Sequence, residues 1–383
     1  MIARISIILI TLLILPAWYI DKTQLRKRTH WVRILFWTPN LLLLLTTAFF
    51  SVSKQFSFEN ADMTGLYLFL LLCVSVPETI YMLCALCGKL YKRRQKWFNG
   101  IGIIAGLVVL GILISGYTLG SKRLVVKNYT HTSAALPKGF NGYRIAQFSD
   151  LHLGTYHNNP AVVRHFVDKI NQLRPDLIVF TGDLVNFQSN ELTPFISILS
   201  QLHAPDGVIS ILGNHDYMNY MKWPTEAMRT ADIQQLVDMQ KSMGWKPLLN
   251  EHIVLRRGTD SISIVGVEND GKPPFPQRGD LTKAQKGLDE KCFKVLLSHD
   301  PTHWRRRVLP ETNIQLMLAG HTHGMQFKIG NFSPASWFYP EWGGSYRENN
   351  QELIVSLGMG EVLMPFRFGA WPEIDVITLQ NKQ

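Results

Sequence analysis

Side chains that can bind divalent metal ions occur in five short blocks between Asp150 and His323. The blocks are Ser149-Asp150-Leu151-His152, Thr181-Gly182-Asp183, Gly213-Asn214-His215-Asp216, Ser298-His299-Asp300 and Gly320-His321-Thr322-His323-Gly324. Carboxylate, imidazole and amide donors suit Mn, Fe, Zn, Co or Ni rather than thiophilic metals. A single Asp-x-His is typical of a turn, and an isolated histidine is typical of the protein core. Five blocks in this order predict a metal centre.

Each block directly follows an apolar run that is rich in β-branched residues. The runs cover 143–148, 177–180, 208–212, 295–297 and 314–319. Runs of this kind predict buried strands. The polar residues therefore lie just past the C-terminal ends of several strands, where open α/β sheets build their sites. Asp150 and His152 are two residues apart, so both can turn toward one ion where the strand gives way to a loop.

Helices are expected between these strands. Apolar spacing and Pro160 predict a helix at 160–173, and similar patterns predict helices at 191–202 and 225–243. A hairpin is predicted from strands at 252–255 and 261–267, and a further strand begins near 124–126. Alternating helices and strands followed by strand-rich sequence predict an α/β domain.

The five blocks match, in order, the pattern DxH, GD, GNH[DE], H and GHxH of the calcineurin-like metallophosphoesterases. Residues 143–376 therefore resemble that family, about two thirds of the chain. Gly358-Met359-Gly360 and Pro365-Phe366-Arg367-Phe368 look like its membrane-attached bacterial branch. That branch includes broad phosphodiesterases and a UDP-diacylglucosamine pyrophosphatase. The resemblance implies two packed β-sheets flanked by helices, in a metallophosphoesterase domain spanning 143–383.

The resemblance also implies two metal sites that share one carboxylate. Seven residues are implied as ligands: Asp150, His152 and His323 for one ion, Asn214, His299 and His321 for the other, and Asp183 for both. Two divalent ions ~3.5–4 Å apart can clamp a phosphoryl group for in-line displacement and lower the pKa of a water molecule. The implied cofactors are therefore two ions of Mn, Fe, Zn, Co or Ni, with Mn favoured.

His215 is implied as the general acid that protonates the leaving oxygen, rather than as a ligand. In the family's protein Ser/Thr phosphatases, the GD block continues to a second Asp and an Arg. Here the GD block continues to Asn186 instead. Asn186 can orient His215 by a hydrogen bond but cannot supply negative charge. The missing Arg removes a bidentate phosphate clamp. Both differences argue against a protein phosphatase.

Three further residues are predicted to support the ligands or to contact substrate. Asp216 and Arg367 belong to the matched motifs. Met325 stands where the membrane-attached relatives usually have a second Gly, and its bulk beside His323 is expected to narrow the mouth of the site.

The chain has 383 residues and a formal net charge of +10, and this charge is uneven. Residues 1–120 hold 12 Lys and Arg against 4 Asp and Glu, a net charge of +8, which leaves +2 for the remainder. The basic character is therefore a property of the N-terminal part and does not indicate nucleic-acid binding. Oligomeric state is left open by the sequence.

Four apolar runs in the first 120 residues predict transmembrane helices. They cover about 5–20, 34–52, 64–87 and 100–120, and a helix needs ~20 residues to cross a hydrocarbon core. Residues 121–142 then form a connector with a first strand. The first run lacks a persuasive cleavage site and is read as a retained helix rather than a signal peptide.

Basic residues in the loops indicate the orientation. The loops at 21–33 and 88–98 hold five basic residues each, whereas the loop at 53–63 has only Lys54. The positive-inside rule places the first and third loops in the cytoplasm. The protein is then a multi-pass protein of a bacterial inner or cell membrane, with its catalytic domain outside the cytoplasm. The reverse topology would make it a cytoplasm-facing lipid-precursor pyrophosphatase.

Together these features predict a membrane-anchored dinuclear phosphoesterase. Expected substrates are phosphomonoesters, phosphodiesters or pyrophosphates of lipid or envelope molecules. Two alternatives remain: a non-catalytic sensor or scaffold with the same fold, and a helical region with a function of its own, to which only the intramembrane Glu78 points. For Arg305-Arg306-Arg307 a solvated helix face is favoured. For Trp337-Phe338-Tyr339 and Trp342, core and substrate-wall interpretations stay open.

Overall fold

The computed structural model describes residues 2–53, 61–156 and 159–382. The chain forms two compact units, one of Met1–Leu119 with Leu363–Phe366, and one of Gly120–Val362 with Arg367–Gln383. Most of the loop at 53–63, including Lys54, lies outside the described residues.

The first unit contains four helices that are long and apolar enough to cross a membrane. They are α1 (Ile2–Ile20), α2 (His30–Ser53), α3 (Ala61–Leu90) and α4 (Gln95–Thr118). The predicted transmembrane region is thus confirmed. Most helices extend past the predicted spans, because an apolar run marks only the part suited to hydrocarbon while the helix continues into its polar flanks.

Small residues pack these helices against one another. A Cβ at Gly102 would lie 3.2 Å from the Cα of Tyr81, and one at Gly106 would lie 3.2 Å from the carbonyl oxygen of Pro77. The glycine face of α4 is therefore used for close packing on α3 within one chain, as expected for small residues in membrane helices. Glu78 accepts a hydrogen bond from the Asn40 amide at 3.0 Å, a partner that the sequence did not identify.

The second unit begins with a six-stranded sheet. Its strands are β1 (Val125–Ser133), β2 (Arg144–Phe148), β3 (Leu177–Phe180), β4 (Val208–Ser210), β5 (Trp245–Pro247) and β12 (Glu373–Asn381), in the order β1-β12-β2-β3-β4-β5. Strands β2 to β5 are parallel, and β12 runs antiparallel to β2 but parallel to β1. The carboxyl ends of β2, β3 and β4 therefore share one edge.

A second six-stranded sheet is built from the remaining strands. These are β6 (Glu251–Arg257), β7 (Asp260–Gly266), β8 (Phe293–Leu297), β9 (Leu316–Ala319), β10 (Gly344–Glu348) and β11 (Gln351–Val355), in the order β10-β11-β9-β8-β7-β6. Strands β7, β8, β9 and β11 are parallel, and the predicted hairpin β6–β7 is antiparallel.

The two sheets pack face to face through alternating side chains. Val179 of β3 and Val295 of β8 belong to one buried cluster between the sheets. Their neighbours in sequence point the other way, because side chains in a strand alternate between faces. Phe180 packs under α5 (Pro160–Gln172) and α7 (Glu226–Ser242), and Leu296 packs beneath the buried Trp304. The predicted sandwich flanked by helices is confirmed.

The helix predicted at 191–202 is mostly wrong. Ser189–Phe195 forms a 3₁₀ helix, and only Ile196–Leu199 is α-helical, here α6. Pro194 lies inside this segment and has no backbone N–H to donate, which disfavours a regular α-helix. Two further short segments, α8 (Leu281–Ala284) and α9 (Leu309–Glu311), complete the described α-helices of this unit.

Candidate metal centre

The sheet edges bring all five sequence blocks together, each after the strand that was expected to precede it. Several of the implied ligands have a left-handed backbone, with φ of 52° at Asp150, 47° at His152, 62° at Asp183, 76° at His321 and 49° at His323. This conformation costs a non-glycine residue on the order of 1 kcal/mol or more and clusters at functional sites. The backbone here is bent so that the side chains converge.

One group of ligand atoms comes from the first and last blocks. The Oδ1 of Asp150 lies 3.3 Å from Nε2 of His323, and the two Nε2 atoms of His152 and His323 are 3.1 Å apart. Asp150 and His152 are completely buried. The structure thus places three of the implied ligands of one ion within reach of a single cation.

A second group is formed by the three middle blocks with the last. The Oδ1 of Asn214 lies 2.8 Å from Nδ1 of His321 and 3.2 Å from Nε2 of His299. The Oδ2 of Asp183 is 3.1 Å from His299 Nε2 and 3.7 Å from His152 Nε2. One oxygen of Asp183 therefore faces both groups, as the bridging role would require.

Hydrogen bonds on the outer side of the imidazoles decide which nitrogen faces inward. His152 donates from Nδ1 to the amide oxygen of Asn186 at 2.8 Å, and His299 donates from Nδ1 to the Thr181 carbonyl at 2.7 Å. The outer nitrogen of His321 is 2.9 Å from the Tyr339 hydroxyl. When neutral, His152 and His299 therefore present the lone pair of Nε2 to the centre, and a cation between them is the partner that such lone pairs suit. The donor set therefore fits divalent metal ions.

Glycine is required where the blocks approach one another. A Cβ at Gly213 would collide with the Asp183 carboxylate, and one at Gly320 would collide with the Asp150 carboxylate. Both glycines of the GNHD and GHTH blocks are thus explained by the space that the carboxylates need.

Asp216 supports the bridging residue from beneath. Its carboxylate accepts the backbone N–H groups of Asp183 at 2.9 Å, Leu184 at 2.8 Å, Val185 at 3.2 Å and Gly213 at 2.9 Å. Because Asp216 is fully buried, it cannot contact substrate. Its part in the site is to fix the turn that carries Asp183.

Arg367 is also fully buried and supports rather than faces the site. It donates to the carbonyls of Ala370 at 2.8 Å and Leu357 at 3.0 Å, and also to that of Gly360. Its Nη2 lies 3.1 Å from Nδ1 of His323. Arg367 thus holds a loop around His323. Met325, two residues after His323, is 49% exposed.

His215 lies beside His152 and Asp183: its ring centroid is 4.7 Å from that of His152, and its backbone N–H donates to Oδ1 of Asp183 at 2.8 Å. Its Nδ1 donates to the backbone carbonyl of Asn186 at 2.9 Å, and its ring stacks on Tyr220 with centroids 4.2 Å apart. This leaves Nε2 for proton transfer. Asp183, His152 and His215 also offer atoms close enough to hold a cation, so geometry alone leaves a ligand role for His215 open.

Asn186 has a different part from the one expected. Its backbone carbonyl orients His215, but its side chain orients His152 instead. The sequence reasoning missed Glu191, whose carboxylate accepts the backbone N–H groups of Asn186 at 2.6 Å and Phe187 at 2.8 Å. Gln188-x-x-Glu191 forms a capping box, a pattern that was available in the sequence.

Tyr220 was also missed as a site residue, and Tyr339 was considered only as part of the core or of a substrate wall. Tyr220 accepts a hydrogen bond from the Asn214 amide at 2.7 Å, which turns the amide oxygen toward His299 and His321. No motif marks such tyrosines, because their contacts depend on how distant loops meet.

The carboxylates and imidazoles shift one another's pKa. Burial alone would raise the pKa of Asp183, but His299 and His215 outweigh it and lower the pKa below its ordinary value. Burial likewise would lower the pKa of His299, but Asp183 and Asp150 raise it. Burial lowers the pKa of His215 despite the opposing field of Asp183. The carboxylates of Asp183 and Asp150 thus favour positive charge beside His299, which a proton or a metal cation can supply.

Contacts and exposure distinguish between the interpretations of Arg305-Arg306-Arg307 and of the aromatic cluster. Arg305 pairs with Glu341 and Glu348, and Arg306 pairs with Asp270, so the solvated face contains ion pairs. The aromatic cluster divides: Trp342 is buried, while Trp337 and Phe338 are exposed.

Comparison with known proteins finds relatives for both parts of the chain. A family model described as "Calcineurin-like phosphoesterase" matches residues 143–325. A second, described as "Probable Calcineurin-like phosphoesterase, transmembrane domain", matches residues 3–121. The chain is 31% identical to the uncharacterized metallophosphoesterase YkuE of Bacillus subtilis, over 76% of this chain and 99% of that protein.

Relatives with a similar arrangement occur outside bacteria. A "Transmembrane protein with metallophosphoesterase domain" of Danio rerio is 27% identical over 83% of this chain and 72% of its own length. Among solved structures, a phosphopantetheinyl hydrolase of Mycobacterium tuberculosis aligns over 56% of this chain and 88% of its own, with 16% identity and a TM-score of 0.35.

Proposed function

The chain belongs to the calcineurin-like metallophosphoesterase family and is a membrane protein with a metal-dependent phosphoester hydrolase domain, and from this premise we propose that it hydrolyses phosphoesters or pyrophosphates of lipid or envelope molecules. The observation that carries the proposal is Asp183, whose Oδ2 faces His299 at 3.1 Å and His152 at 3.7 Å. One shared carboxylate between two groups of inward-facing donors supports a dinuclear hydrolase.

Seven residues would hold two divalent ions: Asp150, His152, Asp183, Asn214, His299, His321 and His323. When bound, such ions supply charge neutralisation of a phosphoryl group and a water molecule of lowered pKa. We propose Mn as the ion; the donors are oxygen and imidazole nitrogen without thiolate, which argues against thiophilic metals. Any of Fe, Zn, Co and Ni also suits this donor set.

His215 would act as the general acid. Its Nδ1–H is held by the Asn186 carbonyl at 2.9 Å, so a proton on Nε2 has a fixed direction toward the leaving oxygen. Stacking on Tyr220 limits rotation of the ring. Asn186 and Tyr220 thus keep the acid in place without contacting the reacting atoms.

A lipid or envelope substrate is supported by the membrane region. The last membrane helix ends at Thr118 and β1 begins at Val125, so the connector is short. A tether of so few residues reaches only about 20 Å when fully extended. The hydrolase is therefore kept near the bilayer, where lipid headgroups are concentrated.

The proposed topology has the catalytic domain outside the cytoplasm of a bacterial cell. Its support is the basic character of the loops at 21–33 and 88–98. A reporter enzyme fused after Gln383 checks it. Activity of a periplasmic reporter agrees with the proposal, and activity of a cytoplasmic reporter alone favours a cytoplasm-facing lipid-precursor pyrophosphatase.

The hydrolase activity is tested with purified, full-length protein. Metal content is measured by mass spectrometry, and hydrolysis is measured with bis-p-nitrophenyl phosphate and p-nitrophenyl phosphate. About two metal ions per chain with turnover of either ester agrees with the proposal. Metal-loaded protein that cleaves neither ester supports a binding role for the same fold. Lipid extracts of cells without the protein should then show which species with one more phosphate group accumulates.

A further inference from the structure

Exposed apolar side chains are concentrated on one short stretch of the phosphoesterase unit. Five of them lie within 14 residues, here called the 325–338 surface: Met325, Ile329, Phe332, Trp337 and Phe338. Trp337 is 72% exposed and Phe338 is 64% exposed. Elsewhere among the described residues 120–362, only Met228 and Val254 are large apolar side chains with comparable exposure. Contiguous apolar exposure of this kind marks an interaction surface.

The 325–338 surface is held by hydrogen bonds and ring contacts. Ile329 and Phe332 exchange backbone hydrogen bonds of 2.9 and 3.0 Å, which closes a tight hairpin. The rings of Phe332 and Trp337 meet edge to face with centroids 5.9 Å apart. The Ser333 hydroxyl donates to the carbonyl of Gly324. The apolar side chains therefore project from an ordered scaffold.

This surface adjoins the metal centre at both of its ends. Met325 follows His323 by two residues. At the other end, Phe338 precedes Tyr339, whose hydroxyl lies 2.9 Å from Nε2 of His321. A molecule bound to the 325–338 surface is therefore close to the ligands of both proposed ions.

The charged residues near the 325–338 surface indicate which kind of partner it binds. Residues 321–340 contain no Asp or Glu, and their single Lys or Arg is Lys328. Tryptophan with neighbouring lysine and no acidic residue is typical of the interfacial zone of membranes. The bilayer that holds α1 to α4 is also an apolar phase within reach of the short connector. These properties favour lipid over a soluble protein partner.

We propose that the 325–338 surface inserts into the interfacial zone of the lipid bilayer that carries the chain, and that lipid phosphoesters reach the metal centre across it. Trp337 and Phe338 are the principal contacts. The role in substrate access rests on the proposed function. The contact with lipid is a separate physical property and is measurable without catalysis.

The test uses full-length protein with Cys73, Cys84, Cys87 and Cys292 replaced by alanine. Trp337→Cys and Phe338→Cys are labelled with an environment-sensitive nitrobenzoxadiazole dye in nanodiscs of phosphatidylcholine and phosphatidylglycerol. Met228→Cys on α7, also half-exposed, is the matched control. Each disc carries one copy, so that contacts between two copies cannot contribute. Circular dichroism and thermal unfolding report that each variant is folded, independently of hydrolysis.

The expected result is blue-shifted emission at positions 337 and 338, with at least twofold stronger quenching by doxyl-labelled lipids than at position 228. Emission at 337 and 338 that matches the control overturns the proposal. Shielding that arises only when two copies share a disc also overturns it, because the surface would then join two chains.

A kinetic measurement addresses substrate access. Trp337→Ala with Phe338→Ala should lower kcat/KM at least tenfold for a long-chain lipid phosphoester in mixed micelles, and leave bis-p-nitrophenyl phosphate within twofold. Equal kcat/KM for the lipid in both proteins removes the access role while leaving hydrolysis established. Failure of the unaltered protein to hydrolyse any ester counts against the proposed function, and the fluorescence result stands apart from it.

Discussion

The Asp216 carboxylate accepts the backbone N–H of Asp183 at 2.9 Å, and through this bond one sequence block fixes the geometry of another. The same carboxylate also takes the N–H groups of Leu184 and Gly213. The backbone turn that carries Asp183 is thus fixed by an acid that is itself fully buried. Charge-assisted hydrogen bonds of this kind are the stronger ones in proteins.

Asp216→Asn should therefore lower the metal affinity of the centre, although Asp216 is not a metal ligand. The amide has one accepting oxygen instead of two, and its NH₂ group faces backbone donors, so the free energy of unfolding should fall by about 2 kcal/mol or more. Metal content after dialysis should fall together with thermal stability. Asp238→Asn on the exposed face of α7 is the control and should change neither. Full metal content in the Asp216 variant would show that the turn is fixed by other contacts.

Asp183→Asn should remove metal from both groups. The substitution takes away the charge that is shared by the two sets of donors, so at least one ion per chain should be lost and activity should vanish on every ester. Metal content by mass spectrometry checks this directly. Two retained ions would mean that Asp183 does not bridge them.

His215→Ala should leave both ions bound and should harm substrates unequally. An alkoxide leaves poorly without a proton, whereas p-nitrophenolate leaves readily. General acid catalysis contributes typically about 10²–10⁴-fold, so kcat for alkyl esters should fall by that factor and kcat for nitrophenyl esters by distinctly less. Metal loss as large as in Asp183→Asn would identify His215 as a ligand. Equal loss on both ester types would identify it as a phosphate-positioning group.

Asn186→Ala should lower metal affinity through His152. The amide oxygen of Asn186 receives the Nδ1–H of His152 at 2.8 Å and so turns Nε2 toward the centre. Loss of such an outer partner typically weakens metal affinity about 10–100-fold. Titration of metal-free protein with Mn²⁺ measures the change in Kd. Asn186→Asp retains an acceptor and should restore affinity, and an Asp variant as weak as the Ala variant would exclude this orienting role.

Glu352 should make the stability of the second unit sensitive to acid. Burial alone would raise its pKa, but hydrogen bonds from His131, Ser345 and Arg347 lower the pKa to about 2. A depressed pKa gives stability that is fully present above the unfolded pKa of ~4.3 and is lost as pH falls toward 2. Ionised Glu352 then contributes about 2 kcal/mol to the free energy of unfolding. This value is discounted for solvent screening, because its partner Arg347 is half-exposed.

The matching experiment compares thermal unfolding of the wild type and Glu352→Gln between pH 7 and pH 2.5. The variant should be less stable at pH 7, and the gap should close as the pH falls below 4. Glu348→Gln, which removes a half-exposed partner of Arg305, should keep a nearly constant difference. A gap for Glu352→Gln that widens in acid would reverse the assigned sign.

The sequence allowed correct placement of those ligands that directly follow a buried strand. Val179 and Phe180 predict a buried strand, and Asp183 follows it at the sheet edge that the structure shows. Asn186 was harder to place, because its side chain and its carbonyl serve different histidines. Such contacts depend on loop geometry between blocks, and no local pattern encodes them. The helix at Ser189–Phe195 was predicted as an α-helix but is a 3₁₀ helix, because an apolar pattern does not distinguish the two helix types.

Strand β12 has a consequence for the order in which the phosphoesterase unit can be assembled during translation. It lies between β1 and β2, yet about 240 residues separate it from β1 along the chain. While the ribosome synthesises that intervening chain, β1 and β2 each expose an unpaired edge. Nascent chains are therefore vulnerable to edge-to-edge aggregation until Glu373–Asn381 emerges. A premature stop before Glu373 leaves β1 without its partner strand, so such truncated chains should be substrates for chaperones and proteases.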